Sequence, residues 1–206
     1  MTTPTYWRRA LRELRAADPI LGALISRYPG LTLSSRGDPF QTLARAIVGQ
    51  QISVKAAQSV WERFATAAGK VQPKRVCTLP ISTLRACGLS GQKVTYLYDL
   101  CLHFNENRLA VSDWPDMDDE SLISDLTQVK GIGRWTAEMF LMFYLTRPDV
   151  FPLGDIGLIR ALQLHYNGGR ELSPRRLKAL STLWQPWRSV ATWYLWRSID
   201  PEPVEY

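Results

Sequence analysis

Apolar positions recur every three or four residues along most of the chain, as in Leu11, Leu14 and Ala17, then Leu43, Ile47 and Val48, then Val94, Leu97, Leu100 and Cys101. This spacing gathers apolar side chains on one face of an α-helix. Only Thr32 to Ser35 hints at an extended piece, so the chain reads as all-α without a sheet. Breakers fall at Asp18-Pro19, Pro29-Gly30, Gly37-Asp38-Pro39, Pro73, Leu79-Pro80, Gly88 to Gly91, Gly131 to Gly133, Pro152 to Gly154, Gly168-Gly169 and Gln185-Pro186. They predict about ten short helices. The stretch from Arg134 to Leu145 is apolar nearly all round, which predicts a helix running through the middle of the protein.

Length adds a bound: 206 residues suit one compact domain, here expected as a single domain over 1–206 with two helical lobes. Lys and Arg outnumber Asp and Glu by 25 to 19, a net charge of +6, and eight tryptophans and eight tyrosines lie among them. Such a surface suits a polyanion with stackable bases, although a modest positive charge also serves solubility alone. Cys77, Cys87 and Cys101 match neither a disulfide framework nor a C-x2-C metal site, so reduced, buried thiols are expected. The N-terminus lacks an apolar signal core, and the longest apolar run, Met139 to Leu145, is far too short to span a bilayer. His103 and His165 are too few and too far apart for a metal site or catalytic dyad, and both read as structural.

The most informative segment is Leu126-Thr-Gln-Val-Lys-Gly-Ile-Gly-Arg-Trp-Thr-Ala. Leu126 and Val129 close one helix, Gly131 and Gly133 permit a hairpin, and Ala137 lies inside the next helix. Glycines flanking Ile132 allow backbone geometry in which consecutive amides point outward, and the following helix start adds its free N–H groups and positive dipole end. Together they would form a phosphate grip that needs no base contact. An ordinary glycine-capped turn is the alternative for a lone Gly-x-Gly.

Here the pattern does not stand alone. It resembles the helix-hairpin-helix DNA glycosylase superfamily, whose hairpin is followed by a Gly/Pro-rich loop and an aspartate, as in Val150-Phe-Pro-Leu-Gly-Asp-Ile-Gly. Ile47-Val-Gly-Gln-Gln-Ile-Ser resembles the segment that inserts a residue into the base stack, and Gly88-Leu-Ser-x-x-Lys-x-x-Tyr-Leu matches a further block. Gln185-Pro-Trp-Arg-Ser, with Trp196 nine residues beyond Trp187, is similar to the alkylpurine branch called 3-methyladenine DNA glycosylase II. The resemblance implies a bilobed helical fold, a helix-hairpin-helix at about 122–145, and Asp155 as the catalytic carboxylate. It implies Trp135 and Trp196 as walls of the base pocket. The implied DNA contacts are Gln50, Gln51, Lys130, Gly131, Ile132, Gly133, Arg134 and Thr136.

Departures from the family sharpen the expectation. Bifunctional relatives carry a lysine where this chain has Trp135, so the Schiff-base nucleophile for strand cleavage is missing and a monofunctional enzyme is expected. Members with an iron–sulfur cluster end in closely spaced cysteines, whereas the last cysteine here is Cys101. No cofactor and no metal are expected. The segment before Phe40 leaves too little room for the β-rich N-terminal domain of some bacterial members, which implies a compact form.

The residue types suit excision. Breaking the bond from sugar C1′ to the base nitrogen builds positive charge on the sugar, which a fixed carboxylate stabilises while orienting or deprotonating water. Asp155 precedes an apolar helical run and is also a plausible helix N-cap. The target must be flipped from the duplex and the gap wedged. Gln50 and Gln51 are the wedge candidates, with capping of the Ala44 to Gly49 helix or pairing with backbone as their other reading. Alkylated purines carry ring charge, which an aromatic pocket binds by stacking and cation–π attraction. Trp7, Trp61, Trp184 and Trp193 read as core or interface instead. Lys130 and Arg134 flank the hairpin as candidate phosphate contacts or as solvated surface charges.

The expected partner is damaged double-stranded DNA, met by a monomer in the bacterial cytoplasm and nucleoid or in a eukaryotic nucleus. Rival readings are a glycosylase for another lesion and a non-catalytic helix-hairpin-helix DNA-binding module.

Overall fold

Asp and Ser residues standing just before helical runs serve as caps. In the computed structural model, which describes residues 3–35 and 37–200, Asp18, Asp38, Ser53, Ser90, Asp118, Asp155 and Ser173 each accept a backbone N–H from the first turn of the helix they precede. Twelve helices and no strand occur among the described residues. The number exceeds the expected ten because short pieces such as α5 (Pro73–Val76) and α6 (Ile81–Ala86) also close into helical turns. Thr32 to Ser35 is irregular and pairs with no strand. No described helix is long and apolar enough to cross a membrane.

The chain divides into two compact units, with the boundary inside α9 (Arg134–Phe143) between Phe140 and Leu141. The first unit holds residues 3–35 and 141–200, with α1 (Trp7–Ala17), α2 (Pro19–Arg27), α10 (Ile156–Asn167), α11 (Pro174–Leu183) and α12 (Arg188–Ile199). Its buried polar hub is Asp18. Oδ1 accepts the amides of Ile20 and Leu21 at 2.9 and 3.1 Å, and Oδ2 accepts Tyr166 Oη–H at 2.7 Å and Trp184 Nε1–H at 2.8 Å. Four donors compensate for the burial of this carboxylate, and they join α2, α10 and the end of α11 at one point. Burial and then the Asp18 hydrogen bond push the Tyr166 hydroxyl well above its ordinary range.

The Pro-Trp-Arg-Ser block at the head of α12 anchors the loop that leads to Asp155. Arg188 clasps Asp149 through Nε at 2.7 Å and Nη2 at 3.0 Å. The Ser189 amide donates to the Pro148 carbonyl at 3.0 Å, and Ser189 Oγ accepts the Val150 amide at 2.9 Å. Every residue from Ser189 to Leu195 is buried.

The second unit, residues 37–140, contains α3 (Pro39–Gly49), α4 (Val54–Ala68), α5, α6, α7 (Gly91–Asn105), α8 (Asp119–Leu126) and the start of α9. The 15-residue α7 packs against α3, α5 and α6. Phe40, Phe104, Trp114 and Phe140 form an edge-to-face chain with centroids 5.3, 6.1 and 5.2 Å apart. All residues of α9 from Thr136 to Phe143 are buried, as its apolar circumference predicts, although the helix stops before Leu145. Cys77, Cys87 and Cys101 are free thiols, and burial pushes Cys101 up to about 12.

Candidate functional site

In the second unit, α8 and α9 are joined by a tight hairpin at Val129 to Gly133, seated on α7. Gly131 has φ +85°, and a Cβ built there would lie 2.1 Å from Cδ2 of the Tyr96 ring. Glycine is required twice over, by backbone conformation and by the aromatic ring beneath it. Asp99, one turn further along α7, accepts the Lys130 amide at 2.8 Å. The Ile132 amide donates to Val129 O at 3.1 Å. Consecutive amides therefore do not all point outward. Lys130 and Ile132 turn theirs inward, leaving the alternate amides of Gly131 and Gly133 without a hydrogen bond among the described residues. Gly133 has open space around its Cα and no positive φ, so nothing among the described residues demands glycine there.

The charged flanks are less available than their sequence positions imply. Arg134 pairs with Glu120 across the hairpin, with Nη1 2.9 Å from Oε2, and its Nε lies 3.1 Å from Glu138 Oε1. The Glu120 hydrogen bond holds the guanidinium above its ordinary value. Lys130 is exposed, with Nζ 3.7 Å from Asp99 Oδ1. Thr136 is 5% exposed and Ile132 4%, so neither side chain is presented to solvent. Burial keeps the Thr136 and Ile132 side chains inside the unit, and acidic partners pair with Arg134.

The turn between α3 and α4 separates the two glutamines. Gln50 ends α3 and sends Nε2–H to the Gly131 carbonyl at 2.8 Å, bracing the hairpin from 81 residues away. Gln51 is exposed and has φ +58°, a conformation costing a non-glycine residue about 1–2 kcal/mol. Lys93 Nζ donates to the Val48 carbonyl at 2.7 Å, fixing the last turn of α3, and burial pulls its ammonium below the ordinary range. Lys93 and Tyr96 both lie in the Gly88-Leu-Ser-x-x-Lys-x-x-Tyr-Leu block. Their partners, the Val48 carbonyl and Gly131, are far from the block in sequence, so the block alone marks neither residue for a task.

In the first unit, Asp155 caps α10 with φ −84° and ψ 117° and is 8% exposed. Its amide donates to Pro152 O at 2.9 Å, so the Pro152 to Gly154 turn fixes the backbone. Its Oδ1 accepts the Leu158 amide at 2.6 Å and Trp196 Nε1–H at 2.8 Å. Trp196 is half-buried and stacks on Phe143, with centroids 6.1 Å and planes 12° apart. Trp135 belongs to the second unit, half-buried at the first turn of α9. His103 Nδ1 lies 2.9 Å from the Asp99 carbonyl and His165 Nε2 2.7 Å from Ser198 Oγ, local pairings within single units.

A braced glycine hairpin between two helices, with a buried carboxylate capping a later helix, defines a helix-hairpin-helix protein equipped with an aspartate loop. The chain belongs to the HhH-GPD superfamily of base excision DNA repair proteins, whose family model matches residues 44–189. It is 32% identical over 188 residues to a putative DNA-3-methyladenine glycosylase, YfjP, of Bacillus subtilis, covering 87% of this chain and 66% of the relative. The crystal structure of a DNA-3-methyladenine glycosidase from Bacillus halodurans superposes with a TM-score of 0.85 at 32% identity, covering 97% of this chain and 93% of that one. The Schizosaccharomyces pombe 3-methyladenine DNA glycosylase Mag1, solved in complex with abasic DNA, gives 0.82 at 28% identity, with 92% and 96% covered.

Proposed function

We propose that this chain is a monofunctional DNA glycosylase that releases alkylated purines of the 3-methyladenine and 7-methylguanine type from duplex DNA. The observation that carries the reading is Asp155: a buried carboxylate, fixed by the Leu158 amide and the Trp196 indole, stands in the family's Gly/Pro-rich aspartate loop. As the glycosidic bond breaks, positive charge grows on the sugar, and a carboxylate already oriented stabilises it without reorganising. The same group orients the water that completes hydrolysis.

The remaining parts have separate tasks. The Gly131 and Gly133 amides with the start of α9 hold a phosphate, assisted by Lys130. Gln51 is the wedge that fills the stack when the nucleotide is flipped, since it alone of the glutamine pair is exposed and held in a strained conformation. Gln50 braces the hairpin behind it. Trp135 and Trp196 supply aromatic surface for a base whose ring carries charge. The chain is a single glycosylase domain, a monomer on its duplex, wherever the cell keeps its DNA.

Incubation with alkylated duplex DNA, followed by chromatography of the released bases, tests this directly. The expected products are free 3-methyladenine and 7-methylguanine with the strand left intact. Borohydride added during turnover should trap no covalent adduct, because no amine stands at the lysine position of bifunctional relatives. An adduct would show that another amine attacks C1′.

A further inference from the structure

The edge of the Trp196 ring is engaged as well as its face. Its Nε1–H and the Leu158 amide converge on one oxygen of Asp155, at 2.8 and 2.6 Å. A terminal carboxylate torsion is soft, so one capping amide alone leaves the plane of the group loosely defined. A further donor on the same oxygen narrows that freedom.

Gly157 supports the pair from below. A Cβ built there would meet Asp155 Oδ1 at 3.1 Å, Trp196 Cδ1 at 3.4 Å and Trp196 Nε1 at 3.5 Å. All three nearest atoms belong to the hydrogen-bonded pair. The backbone of Gly157 is outside the positive-φ region, so conformation gives no reason for glycine inside the first turn of α10.

We propose that Trp196 is a positioning residue for Asp155, and that Gly157 is the gap its indole edge requires. The N–H sets the plane of the carboxylate, and Phe143 behind the ring sets the plane of the indole. This rests on the reading of Asp155 as the carboxylate that meets the oxocarbenium ion.

Two substitutions and one spectrum test it. Trp196→Phe keeps a ring against Phe143 and removes only the N–H. Loss of one hydrogen bond to a charged group slows single-turnover excision by about ten- to a hundredfold. The factor is the same for cationic 7-methylguanine and neutral hypoxanthine, and affinity for the lesion duplex holds. Gly157→Ala slows excision in the same uniform way without lowering the thermal midpoint, because alanine is the better helix former. In ¹⁵N-labelled protein, the Trp196 indole signal is identified by its loss in Trp196→Phe and shifts in Asp155→Asn.

An unchanged rate in Trp196→Phe overturns the proposal, as does a loss confined to cationic bases, which would leave Trp196 a stacking face only. An indole signal indifferent to Asp155→Asn overturns it too. If the wild-type protein releases no alkylated base, the glycosylase reading fails instead, while the indole signal still decides whether Trp196 holds Asp155.

Discussion

The hairpin of the second unit and the aspartate loop of the first are both glycine-marked helix starts, yet they are built in opposite ways. At the hairpin, side chains serve as scaffolding and the backbone is what is displayed. Tyr96 fills the space over Gly131, Asp99 holds the Lys130 amide and Gln50 holds the Gly131 carbonyl. At the aspartate loop, backbone serves as scaffolding and a side chain is displayed. The Asp155 amide is tied to Pro152 and its carboxylate is aimed by Leu158 and Trp196. A surface that must accept any sequence of DNA is best made from amides, which every residue has. A group that must meet one transition state has to be a particular side chain.

That contrast predicts separable failures, and the largest belongs to the loop. Asp155→Asn retains the cap geometry but removes the charge, so excision should fall by on the order of 10²–10³ or more. Affinity for undamaged duplex should stay at the wild-type value, since the hairpin is untouched. Near-normal turnover would remove Asp155 from the chemistry and dissolve the contrast.

Next in size is the converse lesion. Gly131→Ala places a methyl 2.1 Å from a Tyr96 ring carbon and holds alanine at φ +85°. The backbone term alone costs about 1–2 kcal/mol, and the hairpin has to shift as well. Duplex affinity measured by fluorescence anisotropy should drop about tenfold or more, and the thermal midpoint should fall. Gly133→Ala meets no atom of the described residues and should leave the midpoint unchanged. If it nevertheless weakens duplex binding, the space over Gly133 is where a phosphate approaches. Equal effects of the two alanines would show that the hairpin is a generic turn.

How far these two regions could be read from sequence also differs. Helices, caps and the hairpin follow from local rules: Asp18, Asp38 and Asp155 each precede a helical run and each caps it. What was hidden depends on chain segments far apart. Nothing near Asp18 announces that Tyr166 and Trp184 will bring two more donors to it, and nothing near Arg134 announces Glu120 as its partner. Gln50 and Gln51 are identical in type and adjacent in sequence, and only the reach of one to Gly131 O and the φ of the other tell them apart. Trp184 and Trp7 are core, as expected, whereas Trp61 is half-buried beneath Arg45. Local propensity is written in a few residues, but a hydrogen bond across 81 positions is a property of the packed unit.

The smallest predicted effect concerns Trp135, which sequence alone treats as equivalent to Trp196. The two belong to different units, and the structure gives the Trp196 edge a carboxylate to hold. Trp135, half-buried at the first turn of α9, is a candidate for an aromatic task at the base. A cation–π contact to a desolvated ring is worth up to about 2 kcal/mol for a charged base and is absent for a neutral one. Trp135→Ala should therefore slow release of 7-methylguanine more than release of hypoxanthine, changing their rate ratio by about tenfold. Single-turnover rates on duplexes that differ only in the lesion measure this ratio. An unchanged ratio would make Trp135 a packing residue, and discrimination by base charge would then have to come from elsewhere in the protein.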